Sequence, residues 1–246
     1  MVREFLNQLD QPFTGEALFD HLPDIVYFIK DARGAYLVVN HTLRQRCGLQ
    51  HKSQLLGRTP GELFQAPLGD RFQEQDQRVL KTGKPLLSQL ELHVYPSREV
   101  GWCLTTKLPL TNQSGDVVGL VGVSQDLQLP DYATEEYQHV ATAIHYAEEH
   151  LAEPPSIPEL AGLAQMSRYQ FDRRIRRVFG LNASQWLLKL RIDLAQQQLR
   201  ETKTPIAAIA LNAGYADQSA FTRQFRRTTG MTPQDYRKTA CRDSET

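Results

Sequence analysis

The second half of this chain repeats itself at a spacing of 50 residues. Ser167, Phe171, Arg173, Ile175, Arg176, Arg177 and Gly180 stand 50 positions ahead of Asp217, Phe221, Arg223, Phe225, Arg226, Arg227 and Gly230. Trp186 and Tyr236 extend the pairing. Each copy reads as a cap residue, a short basic amphipathic helix and a terminating glycine. A merely solvated helix has no reason to recur with its arginines in register. A chain that must present two similar helices to two similar surfaces does, and successive major grooves of duplex DNA are such surfaces.

Charge supports this reading once it is taken locally. The formal net charge is +0, yet Arg168–Arg242 carries fifteen Lys and Arg against five Asp and Glu. Asp131–Glu159 carries seven acids and no Lys or Arg. The basic block is the electrostatic footprint expected for phosphate. The 246 residues, 41% of them hydrophobic, suffice for two domains of about 100–150 residues each.

Cys47, Cys103 and Cys241 lie far apart, with no CxxC or Cys/His cluster, so neither a zinc site nor a disulfide scaffold is expected. The opening MVREFLNQLDQPF lacks the apolar run of a signal peptide, and no stretch approaches the ~20 apolar residues of a membrane span. A reducing cytoplasm fits best. No Gly-rich phosphate loop, HExxH or GxSxG is present, so no catalytic residue and no cofactor are expected. An alkyl-transfer repair enzyme would need a reactive cysteine motif, which none of the three cysteines has.

In the first copy Pro158 sits at a helix start, Glu159–Gln165 forms a short helix, and Ser167 caps Arg168–Phe179. In the second, Pro205 opens Ile206–Asn212, Gly214 supplies a left-handed turn, and Asp217 caps Gln218–Thr228. Between them Ser184–Glu201 reads as one long helix of roughly 27 Å, a stiff spacer near the 34 Å of one DNA turn. Ahead of both, Val140, Ile144, Ala147 and Leu151 form one apolar stripe, read as the first core helix of this domain.

These residues resemble the AraC/XylS-type DNA-binding domain from about Tyr137 to Arg237. The resemblance is strongest over IALNAGYADQSAFTRQFRR, from Ile209, and GMTPQDYR, from Gly230. It implies base-facing positions at Tyr169, Asp172 and Arg173 in the first recognition helix, and at Gln218, Ser219, Thr222 and Arg223 in the second. Arg176, Arg177, Arg226 and Arg227 are the candidates for phosphate. Gln165 departs from the pattern by standing where the first turn usually has glycine, which predicts a strained turn. Asp172 has two readings, accepting from cytosine N4 or holding Arg173 or Arg176.

Residues 10–128 read as mixed α and β. Ile25–Ile29 and Tyr36–Val39 flank the turn Asp31-Ala-Arg-Gly34, and Asn40 caps a helix over His41–Cys47. A polar helix spans Phe72–Thr82, and strands follow at Leu86–Tyr95, Trp102–Leu110 and Val117–Val123. The hairpins, with Gly57-Arg-Thr-Pro-Gly-Glu-Leu-Phe64 between them, resemble the PAS sensor fold over most of residues 14–128. Gly57-Arg-Thr-Pro60 lacks the cysteine that a flavin photocycle needs. Val26, Phe28, Leu37, Val39, Leu63, Leu104, Leu120 and Val123 are the expected interior.

The expected fold is therefore two domains: an α+β PAS-like antiparallel sheet with short helices, then an all-α double helix-turn-helix with a long linker helix. The boundaries are 10–128, a linker over 129–138, and 139–240, with helix-turn-helix units at 158–179 and 206–228. The expected function is sequence-specific DNA binding in transcription regulation. The PAS-like half would sense a signal, hold a small molecule or mediate a homodimer, and RNA polymerase is a further candidate partner. The competing reading is a non-catalytic interaction protein whose basic helices bind acidic partners.

Overall fold

The computed structural model of the chain describes residues 2–64, 66, 68–94, 100–127, 130 and 132–242. It divides into two compact units, Met1–Asp126 and Leu127–Thr246.

The first unit begins with α1 (Val2–Leu6) and α2 (Glu16–Asp20), then the hairpin β1 (Ile25–Asp31) and β2 (Tyr36–Val39). Short helices α3 (His41–Arg46) and α4 (Pro60–Leu63) and the longer α5 (Leu68–Thr82) follow. Three strands complete it: β3 (Leu86–Val94), β4 (Val100–Thr111) and β5 (Val117–Asp126). The sheet order is β2-β1-β5-β4-β3, with every pairing antiparallel. Asp31 Oδ1 closes the first hairpin by accepting the N–H groups of Arg33 and Ala35, each at 2.9 Å. Asn40, fully buried, caps α3 through Leu43 N–H and also accepts Tyr27 N–H at 3.0 Å. Its amide donates to the carbonyls of Ile25 and Phe19, so one side chain ties β1, α2 and α3 together. The predicted end of β3 at Tyr95 lies outside the described residues, as does the side chain of Val94.

The helix-covered face of the sheet matches expectation at Val26, Phe28, Val39, Leu63 and Leu120 and departs from it at Leu37, Leu104 and Val123. Val26, Phe28, Tyr36, Val39, Leu43, Leu55, Val79 and Leu120 form the core, with Leu63 packed beside it. Leu37 is instead 54% exposed, and Leu104 and Val123 are half-buried. In β4 the deeply buried residues are Cys103, Thr105 and Lys107, which alternate with Leu104. In β4 the apolar pattern suggested the opposite face, because side chains in a strand alternate and a one-residue misreading inverts the set. Lysine is rarely buried without a partner; here Lys30 and Lys107 are both buried because Asp76 of α5 pairs with each of them.

The second unit is helical: α6 (Glu135–Gln138), α7 (Ala141–Glu149), α8 (Ile157–Leu163), α9 (Arg168–Phe179), α10 (Ala183–Glu201), α11 (Ile206–Asn212), α12 (Gln218–Thr229) and α13 (Pro233–Arg242). Leu129 and Asp131 of the predicted break lie outside the described residues. Val140, Ala143, Ile144, Ala147 and Leu151 are buried, as the apolar stripe required of a core helix. Ser156 caps α8 in a box with Glu159, so the helix begins at Ile157, two residues before the predicted Glu159, and ends at Leu163, two before the predicted Gln165. No described helix is long and apolar enough to cross a membrane.

Candidate nucleic-acid interface

The two basic helices, α9 and α12, are built alike from their ends inward. Ser167 Oγ accepts Gln170 N–H at 3.3 Å while Gln170 Oε1 accepts Ser167 N–H at 2.9 Å. Asp217 Oδ1 accepts Ala220 N–H at 2.7 Å. Each cap satisfies amide groups that the first helical turn leaves without partners. At the other end Gly180 (φ 69°) and Gly230 (φ 85°) stop the helices in the left-handed region. Phe171 and Ile175 on α9, and Phe221 and Phe225 on α12, are wholly buried. These anchors turn the opposite face of each helix outward.

On the outward faces, Tyr169 is 75% exposed, Arg173, Gln218, Ser219 and Arg223 are exposed, and Asp172 and Thr222 are half-buried. Arg176, Arg177, Arg226 and Arg227 are also exposed. Asp172 holds Arg176 at 3.1 Å, and its other oxygen accepts the N–H of Ala183, the first residue of α10. It therefore braces α9 against the start of α10. Glu136 of α6 pairs with Arg174 at 2.5 Å and also with Arg177. Those two guanidinium groups outweigh desolvation and hold the Glu136 carboxyl below its ordinary value. The Glu136 link spans 38 residues to Arg174, and no local spacing announced it.

Helix α10 has 19 residues, so its axis is about 28 Å long. Asn182 and Gln185 form its capping box, and buried Trp186 packs against Phe179 with ring centroids 5.8 Å apart. Arg191, midway along it, donates to the carbonyls of Ala213 and Gly214, both at 2.7 Å. Its guanidinium stacks 4.0 Å from the Tyr215 ring. Burial lowers the Arg191 pKa from its ordinary value, and the two carbonyls together with the ring compensate the desolvated charge. Sequence reasoning passed over Arg191, since one basic residue in a long helix carries no distinguishing pattern.

The first unit has a different kind of site. An internal cavity of about 40 Å³ is lined by Lys30, Lys107, Tyr36, Phe28, Phe64 and Phe72, among others. Burial, joined by repulsion from Lys107, lowers the Lys30 ammonium to about 8 in spite of Asp76. Asp76 is itself buried, but the two ammonium groups more than offset that and keep its pKa below the ordinary value. Among the described residues no group of His, Cys, Asp and Glu could hold a metal ion.

Comparison with known proteins divides the chain in the same way. The family described as "Helix-turn-helix domain" matches residues 160–239, and that described as "PAS fold" matches residues 19–129. The regulatory protein SoxS of Salmonella typhimurium is 35% identical over 100 residues, which are 41% of this chain and 94% of SoxS. The probable transcriptional regulator LumQ of Photobacterium leiognathi is 32% identical over 114 residues, 46% of each chain. The match thus spans about half the length of LumQ, and a putative AraC-like regulator of Streptomyces antibioticus is matched over 33% of its length at 38% identity. The DNA-binding domain of AdpA, solved in complex with a target DNA, is 35% identical over 41% of this chain and 90% of that one, with a TM-score of 0.39.

Proposed function

This chain belongs to the AraC-type helix-turn-helix regulators, and on that premise we propose that it binds a specific duplex sequence through α9 and α12 and so regulates transcription. The helix pairs α8/α9 and α11/α12 act as two helix-turn-helix units, and α10 is the rigid linker between them. The observation that carries this reading is the pair of exposed arginines, Arg173 and Arg223, at matching positions on two helices whose inner faces are wholly buried. An arginine donates two bonds to guanine O6 and N7, and Gln218 can pair with adenine N6 and N7. Tyr169, Ser219 and Thr222 complete the readout. Asp172 positions Arg176 and α10 rather than reading cytosine, a role supported by its two hydrogen bonds. Arg226 and Arg227 meet phosphate. Arg176 and Arg177 do so after leaving Asp172 and Glu136.

The PAS half acts as the sensor, and its action requires a signal that distinguishes two states of the protein. A homodimer through this half is supported by the exposed apolar side chains Phe5, Phe13 and Leu18. The site of action is the cytoplasm, where the DNA is, and no catalytic step is involved.

Selection from a random duplex library tests the proposal. A preferred sequence should emerge, bound several orders of magnitude more tightly than random DNA, with affinity falling steeply as salt rises. Arg223→Ala should relax preference at one or two base pairs by about 1–3 kcal/mol, whereas Arg227→Ala should weaken all sequences evenly. A library with no preferred sequence would leave binding of acidic partners as the better account.

A further inference from the structure

Resting on the reading of the PAS half as a sensor, we propose that its interior cavity binds a short-chain monocarboxylate, acetate in size, between Lys30 and Lys107. The first ground is a charge imbalance. Lys30 Nζ donates to Asp76 Oδ2 at 2.5 Å, and Lys107 Nζ donates to Asp76 Oδ1 at 2.6 Å. All three side chains are at most 3% exposed. The neighbouring buried arginines each have a carboxylate of their own, Arg46 pairing with Asp126 at 2.5 Å and Arg71 with Glu91 at 3.1 Å. The thiols of Cys47 and Cys103 stay neutral, since burial pushes both up to about 12. Two ammonium groups on one carboxylate therefore leave one positive charge in excess. An unmatched charge held away from water is among the costliest groups a protein interior can contain.

The second ground is unused donor capacity. An ammonium carries three N–H donors, and among the described residues Asp76 is the sole hydrogen-bond acceptor for each of these lysines. Lys30 otherwise faces rings, with the Tyr36 centroid at 4.0 Å and the Phe28 centroid at 4.8 Å. A ring face attracts a cation but supplies no counter-charge. A carboxylate supplies one negative charge and two acceptor oxygens, one for each ammonium.

The third ground is size. One water needs about 10–15 Å³ on the measure by which this cavity is about 40 Å³. Three or four heavy atoms therefore fit. Acetate has four, and its methyl group would lie against Phe64 and Phe72, which also line the cavity. An aromatic acid is too large, and a phosphate brings more negative charge than the site has to neutralise.

The full chain is titrated with sodium acetate, against sodium chloride and sodium benzoate at equal ionic strength, while its melting temperature is followed. Acetate should raise Tm saturably above both controls. Lys107→Met should weaken acetate binding by about tenfold or more, the order set by losing a charged hydrogen bond. Direct contact is read on the wild-type protein, where methyl-labelled acetate should give nuclear Overhauser effects to the rings of Phe64 or Phe72. Equal Tm curves for acetate and chloride, or no such effects at saturating acetate, would overturn the proposal. So would unchanged acetate affinity in Lys107→Met. DNA affinity measured with and without acetate separates the two readings. Binding without any change in DNA affinity upholds the site and rejects its role as a sensor.

Discussion

The helix pairs α8/α9 and α11/α12 solve one geometric problem with different residues. In the first, Gln165 takes a left-handed conformation, φ 55°, and its N–H meets the Gly162 carbonyl at 2.9 Å. In the second, Gly214 does the same at φ 74°, with its N–H on the Leu211 carbonyl at 2.8 Å. The next amide also matches, Met166 N–H to Ala161 and Tyr215 N–H to Ala210, both at 2.9 Å. After that the second turn has one more residue before its cap, Asp217. The surroundings explain the different choices. Gln165 is exposed, so its side chain has room and only backbone strain opposes it. A Cβ on Gly214 would overlap the Leu151 carbonyl oxygen and stand 2.6 Å from Pro154 Cδ. Glycine is thus required twice over in the second turn, for conformation and for space, and merely preferred in the first.

The sharpest way to break this comparison is Gly214→Ala. Strain and overlap together should cost about 3 kcal/mol or more in urea unfolding. A loss below about 1 kcal/mol would mean that the neighbouring backbone gives way easily. Next comes Arg191→Met, which keeps an unbranched apolar stem but removes the guanidinium and with it both bonds to the Ala213 and Gly214 carbonyls. About 1.5–3 kcal/mol should be lost, since charged hydrogen bonds to a partly buried group are involved. Specific DNA affinity should fall with it through the second pair, as read by competition with random duplex. The smallest effect is expected from Gln165→Gly. Relief of left-handed strain is opposed by the greater freedom of glycine in the unfolded chain, for a net gain of about 0.5–1 kcal/mol. A loss on this substitution would show that the Gln165 side chain makes a contribution the turn geometry does not capture.

The 50-residue repeat made the helical unit legible, because caps, buried positions and terminating glycines all recur at one offset. Ser167, Asp217, Phe171, Phe221, Gly180 and Gly230 take up the places that this offset implies. Even the strain at Gln165 was visible as a missing glycine. The sheet was legible in its strands and in the inner face of β1, where Val26 and Phe28 lie in the core, but not in the inner face of β4. Leu37, Leu104 and Val123 look like interior residues by type, and Lys30, Thr105 and Lys107 like surface. What reverses the assignment is Asp76, 46 residues from Lys30 in a helix that reads as polar. Such a pairing is a tertiary event without a local signature. The same applies to Glu136 with Arg174 and Arg177, and to Arg191 with the turn at Gly214. Lys30 falls in register with Val26 and Phe28 along β1, but the register names no partner for its charge.

The central claim is that α9 and α12 read separate stretches of one duplex. Operator selections with Arg173→Ala and with Arg223→Ala, each compared with the wild-type chain, test it most directly. Each variant should lose preference at its own base pairs, and the two sets should lie about one helical turn, 10–10.5 bp, apart. Loss at the same positions in both variants, or undiminished preference in either, would contradict two-headed recognition.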